Sequence, residues 1–148
     1  MDISRKATKA FICGCGHSGT TLLATILAEH SDVYVPLYET NAFLKPSFKR
    51  RLIFWRIRLR TWLLGKTVFV EKTPKHVTYV DEIRECIPGA RIILMVRDGR
   101  DVVASIGERN GGDFETAVER WISDNQAVAS QLGRRDVLLV RYEDLVVA

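Results

Sequence analysis

Phe11-Ile12-Cys13-Gly14-Cys15-Gly16-His17-Ser18-Gly19-Thr20-Thr21-Leu22 decides how this chain is read. Phe11 to Cys13 is short and apolar, as a central parallel strand is. Gly14, Gly16 and Gly19 permit backbone angles and close approaches that a side chain would block. From Thr21 to Ala28 apolar residues recur at helical spacing, so the stretch reads as strand, glycine-rich turn and helix start. A turn of this kind presents backbone N–H groups at a helix N-terminus, where an anion is stabilised.

The spacing approaches the phosphate-binding pattern G-x-x-x-x-G-K-[ST]. Gly14 and Gly19 fit it and Thr21 takes the last position, but Thr20 stands where the lysine belongs. That lysine reaches the β- and γ-phosphates of a nucleoside triphosphate, so its replacement argues against ATP or GTP hydrolysis and against a P-loop kinase. A donor with a single 5′ anionic arm needs the amides and hydroxyls more than the lysine. The same letters also suit a tight strand–helix turn in an unrelated α/β fold.

The 148 residues suit one domain with a real core. A net charge of +4 favours anionic ligands weakly, because much of the excess lies between Lys45 and Lys66. No stretch is long and apolar enough to span a membrane. Met1-Asp2-Ile3-Ser4-Arg5-Lys6 lacks an apolar signal region, so the expectation is a cytoplasmic chain, or a catalytic piece without its targeting segment. The three cysteines form no disulfide framework, no Cys or His cluster has zinc-site spacing, and nothing signals a metal or nucleic acid.

Further along, Val33-Tyr34-Val35-Pro36 is extended, since the residue before proline disfavours helix. Glu39 follows; it either faces the cleft beside the glycine turn or is a solvated surface glutamate, and the local letters favour the latter. Between Lys45 and Lys66, Arg50, Arg51, Arg56, Arg58 and Arg60 interleave with apolar residues, and Leu52, Trp55, Leu59 and Trp62 recur on one helix face. A basic amphipathic helix lies on membranes or binds an acidic partner. The plainer expectation is that this stripe packs on the domain while its arginines are solvated.

Thr67 to Val70 reads as a second buried strand, with Lys72 near its carboxyl end, where α/β sheets bind ligands. Lys72 there supplies the charge that Thr20 does not, or is an ordinary loop lysine. Pro74 opens a helix over Lys75 to Cys86. Arg91 to Val96 is the clearest strand; Arg97 closes it, and Ser105 lies on the helix that leaves it. Arginine offers a planar fork matched to a phosphate, and the spacing lets Arg97 and Ser105 clasp one anion. An Arg97–Asp101 ion pair and a helix-surface serine are the alternatives, and Asp98 or Asp101 suits a helix cap. Gly111-Gly112 breaks the chain. A helix capped by Asp113 follows, with Phe114, Val118, Trp121, Ile122, Val128 and Leu132 as its apolar side. Val137 to Val140 reads as a fourth buried strand. Strands alternating with helices predict a parallel sheet with right-handed crossovers: a three-layer, P-loop-like α/β fold.

In this order the pieces resemble the sulfotransferases that use 3′-phosphoadenosine 5′-phosphosulfate (PAPS). Three blocks carry the resemblance: Gly16-His17-Ser18-Gly19-Thr20-Thr21-Leu22, Glu71-Lys72-Thr73-Pro74, and Leu94-Met95-Val96-Arg97-Asp98-Gly99-Arg100 with Ser105; Val140-Arg141-Tyr142-Glu143-Asp144-Leu145 is a fourth, weaker match. It implies one nucleotide-binding domain over 1–148, with His17, Ser18, Gly19, Thr20 and Thr21 around the 5′-phosphosulfate and Arg97 with Ser105 on the 3′-phosphate. The motif spacing is most similar to tyrosylprotein sulfotransferases, which implies Glu39 as general base and Lys72 as the group that stabilises the transferring sulfuryl. The implied acceptor is a hydroxyl of a peptide tyrosine, a sugar or a small alcohol, and the implied product is adenosine 3′,5′-bisphosphate. The chain departs from the family in three respects. His17 replaces a lysine or arginine. Pro74 stands two residues after Lys72, where small-molecule sulfotransferases carry a catalytic histidine, leaving His76 as a displaced reserve base. The family also continues well past Leu145, so the chain reads as short at its C-terminus: a fragment, a minimal member, or a form completed by a second subunit as a homo-oligomer.

Overall fold

The computed structural model describes residues 7–36, 38–110 and 113–147; Met1 to Lys6 and Gly111-Gly112 lie outside them. Strand β1 (Thr8–Gly14) is the centre of the sheet. Its neighbours are β3 (Val68–Lys72) and β4 (Arg91–Val96), with β2 (Val33–Tyr34) and β5 (Val137–Arg141) at the edges. The order is β2-β3-β1-β4-β5 and every pair is parallel. Side chains on a strand alternate between faces, and β1 shows this directly. Phe11 and Cys13 enter one core with Phe69, Ile92 and Leu94, while Ala10 and Ile12 enter another with Val70 and Met95.

Helices cover both faces, which makes the three layers. Helix α1 (Thr20–Ala28) places Leu23 and Ala24 on the Ile12 side, where α6 (Tyr142–Val147) adds Tyr142 and Leu145. The Phe11 side takes α2 (Ser47–Leu63), α3 (Val80–Cys86) and α5 (Phe114–Gln131). Helix α4 (Gly99–Asn110) packs on α5 through Val102, Val103 and Ile106. Phe11 meets Phe43, Phe54 and Phe69 edge-on, with centroids 6.3, 5.8 and 6.3 Å away.

Four sequence expectations change. The apolar stripe Leu52-Trp55-Leu59-Trp62 does not pack on the domain. Those side chains are exposed, and the inward face of α2 is Arg50, Ile53, Phe54, Ile57 and Thr61. The helix has two apolar faces, and the aromatic cluster around Phe11 takes the one carrying Phe54 and Ile57. Strand β5 is not buried: it is an edge strand, and Leu138 and Leu139 are exposed. The helix expected over Lys75 to Cys86 begins as a 3-10 helix over Pro74–Tyr79, which turns His76 and Val77 inward, before α3. On α5, Phe114 and Ile122 are exposed, as is Leu132 just past its end, so the packed stripe is narrower than the sequence pattern.

Candidate active site

A cleft of about 740 Å3 opens at the carboxyl ends of the central strands. The glycine turn, Glu39, Arg97, Ser105 and Tyr142 all line it. This is the crevice where parallel α/β sheets bind ligands.

Two glycines are required by geometry. Gly14 has φ 152°, and a Cβ there would lie 2.4 Å from the Met95 carbonyl oxygen. Gly19, just before α1, has φ 88°, and its Cβ would lie 2.4 Å from Tyr142 Cδ2. His17 is left-handed without being glycine, at φ 70°, a conformation that non-glycine residues adopt rarely. The turn hides Ser18, whose hydroxyl is buried and has no partner among the described residues. Thr20 is buried beside it, and no side chain caps α1. A buried hydroxyl without a partner and an uncapped helix start both fit an incoming anion.

Arg97 leaves β4 and stacks its guanidinium 4.3 Å from the Tyr142 ring centroid. It donates to the His17 carbonyl at 3.3 Å and pairs with Asp101 at 3.3 Å, while its buried Nε has no partner. Asp98 caps α4, accepting from the Arg100 amide at 2.9 Å, and the Arg100 guanidinium first of all draws its carboxyl down to about 2. Glu143 accepts the Asp98 amide at 2.7 Å, tying α6 to the same corner. Ser105 is not an idle surface serine, for its hydroxyl meets His17 Nδ1 at 3.0 Å. His17 therefore bridges the glycine turn and α4. Burial, then the guanidinium groups of Arg109, Arg120 and Arg97, push its pKa below 6.5.

Glu39 and Lys72 come together: Lys72 Nζ donates to Glu39 Oε1 at 2.8 Å, with the lysine mostly covered and the glutamate half-exposed. Beneath them lies a buried network centred on Glu71. Its Oε1 accepts from Thr40 Oγ1 at 2.7 Å and Thr73 Oγ1 at 2.6 Å, and its Oε2 accepts from His76 Nδ1 at 3.0 Å. Burial pushes the Glu71 carboxyl up, but the hydrogen bonds from His76, Thr73 and Thr40 outweigh it and hold the carboxyl below 4.5. His76 Nε2 accepts the Phe43 amide at 3.2 Å, which leaves the ring proton on Nδ1. Both nitrogens of His76 are thus engaged and the side chain is fully buried, which removes it as a reserve base.

Glu71 and Tyr142 stand in two of the blocks quoted above but carry no role there, and Arg109 and Arg120 have no local signal in the sequence. A glutamate inside a buried strand, with a histidine five residues on, was the available signal for the first. The others sit on elements distant in sequence and share the cleft only through the fold.

A family model described as "Sulfotransferase family" matches residues 60–148. The chain belongs to the sulfotransferase family. The chain is 25% identical over 179 aligned residues to protein-tyrosine sulfotransferase A of Caenorhabditis elegans, covering 97% of this chain and 47% of that protein. It is 26% identical over 200 residues to nodulation protein NoeE of Sinorhizobium fredii (strain NBRC 101917 / NGR234), covering 98% and 48%. The chain spans about half the length of these curated relatives. Among solved structures, the sulfotransferase domain from the Synechococcus PCC 7002 olefin synthase superposes with a TM-score of 0.75 at 19% identity, covering 95% of this chain and 69% of that one. That likeness shows the shared fold.

Proposed function

We propose that this chain binds 3′-phosphoadenosine 5′-phosphosulfate and transfers its sulfuryl group to an acceptor hydroxyl. The observation that carries the reading is that one cleft holds both a lysine-free glycine turn and the Arg97–Ser105–His17 group. The first suits a phosphosulfate arm and the second a ribose phosphate. A nucleoside triphosphate would want the lysine that Thr20 replaces.

When bound, the donor supplies an activated sulfur and a phosphate leaving group. The chain's own groups do the rest. The Ser18 and Thr20 hydroxyls and the amides at the start of α1 hold the phosphosulfate. Arg97, stacked on Tyr142, fixes the 3′-phosphate with Ser105. Glu39 takes the acceptor's proton as the acceptor oxygen bonds to sulfur. The bond from sulfur to the bridging oxygen breaks, its electron pair leaves with adenosine 3′,5′-bisphosphate, and Lys72 offsets the charge gathering on that oxygen. In this structure Lys72 donates to Glu39 Oε1, which leaves Oε2 to take the acceptor's proton while the ammonium stays within reach of the leaving group. The acceptor belongs to the class of peptide tyrosines, sugars and small alcohols.

Transfer of radiolabelled sulfate from the donor to pooled hydroxyl acceptors tests the reading. Glu39→Gln should lower turnover by about 100-fold or more while nucleotide binding stays intact. Full turnover would remove Glu39 from the role. Binding without transfer in the unaltered protein would make the chain a nucleotide-binding module.

A further inference from the structure

Helix α2 packs one apolar face inward and presents a second to solvent. Phe48, Leu52, Trp55, Leu59 and Trp62 are 67, 49, 59, 37 and 51% exposed and recur at steps of four, three, four and three residues. At about 100° per residue they form one stripe directly opposite buried Ile57, along a helix about 25 Å long. Arg51 and Arg58 border the stripe on one side, and Lys49, Arg56 and Arg60 on the other. No acidic residue lies between Ser47 and Leu63. Arg50, on the inward side, pairs with Glu82, whereas among the described residues none of Arg51, Arg56, Arg58 and Arg60 meets an acid.

We propose that this face of α2 docks the protein on an anionic lipid surface. A continuous strip of five exposed large apolar side chains, rimmed by charge on both sides, marks an interaction site, unlike single scattered apolar residues. Its symmetry selects the occupant. An apolar strip that carries two tryptophans and has a basic row on each side matches a helix lying in the plane of the bilayer interface: the strip meets the acyl boundary and both rows reach headgroup level. A second copy of α2 would set basic rows against basic rows. A protein groove would need acidic walls on both sides. The helix lies on the surface and does not cross it, for among the described residues no helix is long and apolar enough to span a membrane. Leu44 lines the cleft and leads through Pro46 into α2, so docking holds that edge of the cleft beside the lipid. None of this depends on the proposed reaction.

The full chain, titrated with phosphatidylcholine vesicles with and without phosphatidylserine, tests the proposal by co-sedimentation and tryptophan emission. Binding to the anionic vesicles should be at least about tenfold tighter, should weaken with added salt, and should shift emission to the blue. Trp55→Ala with Trp62→Ala should abolish binding, and Arg51→Glu with Arg58→Glu should do the same. All four side chains are exposed, so circular dichroism should show the fold kept, and the first variant reports the Trp121 background. The proposal is overturned by failure to bind either vesicle, by equal binding to both, or by undiminished binding of the tryptophan variant. Lipid-free self-association that buries the tryptophans would instead assign the face to a second copy.

Discussion

Replacing Glu71 by glutamine should cost this protein about 2–4 kcal/mol, because no arrangement of the amide satisfies the donors around it. Three hydrogen bonds converge on the carboxylate, from Thr40, Thr73 and His76. With the amide oxygen toward the threonines, the amide NH2 faces His76 Nδ1–H. Moving the ring proton to Nε2 relieves that clash but sets Nε2–H against the Phe43 amide. With the amide reversed, NH2 meets the threonine oxygens and their hydroxyl protons lose their acceptor. One buried donor at least is stranded, at about 1–3 kcal/mol, and the charge-assisted character of the other bonds is lost. Urea unfolding should show a lowered midpoint with an unchanged slope, and melting should fall by roughly 5–15 °C.

The pH dependence carries a sign. Glu71 is held below its ordinary 4.5, so its contribution is fully present above that value and is lost as pH falls through the folded value. The gap between wild type and Glu71→Gln should therefore narrow in acid. The network also pins the segment Thr40 to Phe43, next to Glu39, so sulfate transfer should fall by more than nucleotide affinity does. A variant within about 0.5 kcal/mol of wild type at neutral pH, with transfer intact, would refute this account of the network.

Gly19→Ala should destabilise by about 2–5 kcal/mol, since it forces a side chain into the left-handed region and against the Tyr142 ring; calorimetric melting checks this, and nucleotide affinity should fall with it because Tyr142 supports Arg97. The His17 ring should titrate below 6.5 in the free protein by NMR and move upward when adenosine 3′,5′-bisphosphate offsets the nearby arginines, so nucleotide affinity should rise as pH falls through that range; an immobile titration would place the phosphates elsewhere. Burial raises the Cys13 thiol well above its ordinary range, and burial with the Asp124 carboxylate pushes Cys15 up to about 12. A thiol reagent should therefore modify exposed Cys86 promptly, and Cys13 and Cys15 only on unfolding.

What the sequence made legible was local. The apolar run into Gly14, the glycines and the helix after them lie within twenty residues, and the structure has that strand, turn and helix. The same holds for β4, Arg97 and the Asp98 cap. Helix α2 was legible as a helix but not in its orientation. Both of its stripes have helical spacing, and only Phe54 and Ile57 meeting the aromatic cluster around Phe11 decides which one turns inward. The edge position of β5 depends on sheet order, which no single strand encodes. Glu39 looked like a surface residue because Lys72, its partner, is thirty-three positions away. Glu71 was hidden by its type, since a glutamate in a buried strand is tolerable only with donors from Thr40, Thr73 and His76.

Calorimetric titration with adenosine 3′,5′-bisphosphate, beside Mg-ATP and with Arg97→Ala in parallel, tests the central claim most directly. The account predicts that the bisphosphate binds far more tightly than Mg-ATP and that Arg97→Ala weakens it by about 2–5 kcal/mol. Preference for Mg-ATP, or unchanged affinity in the variant, would contradict it.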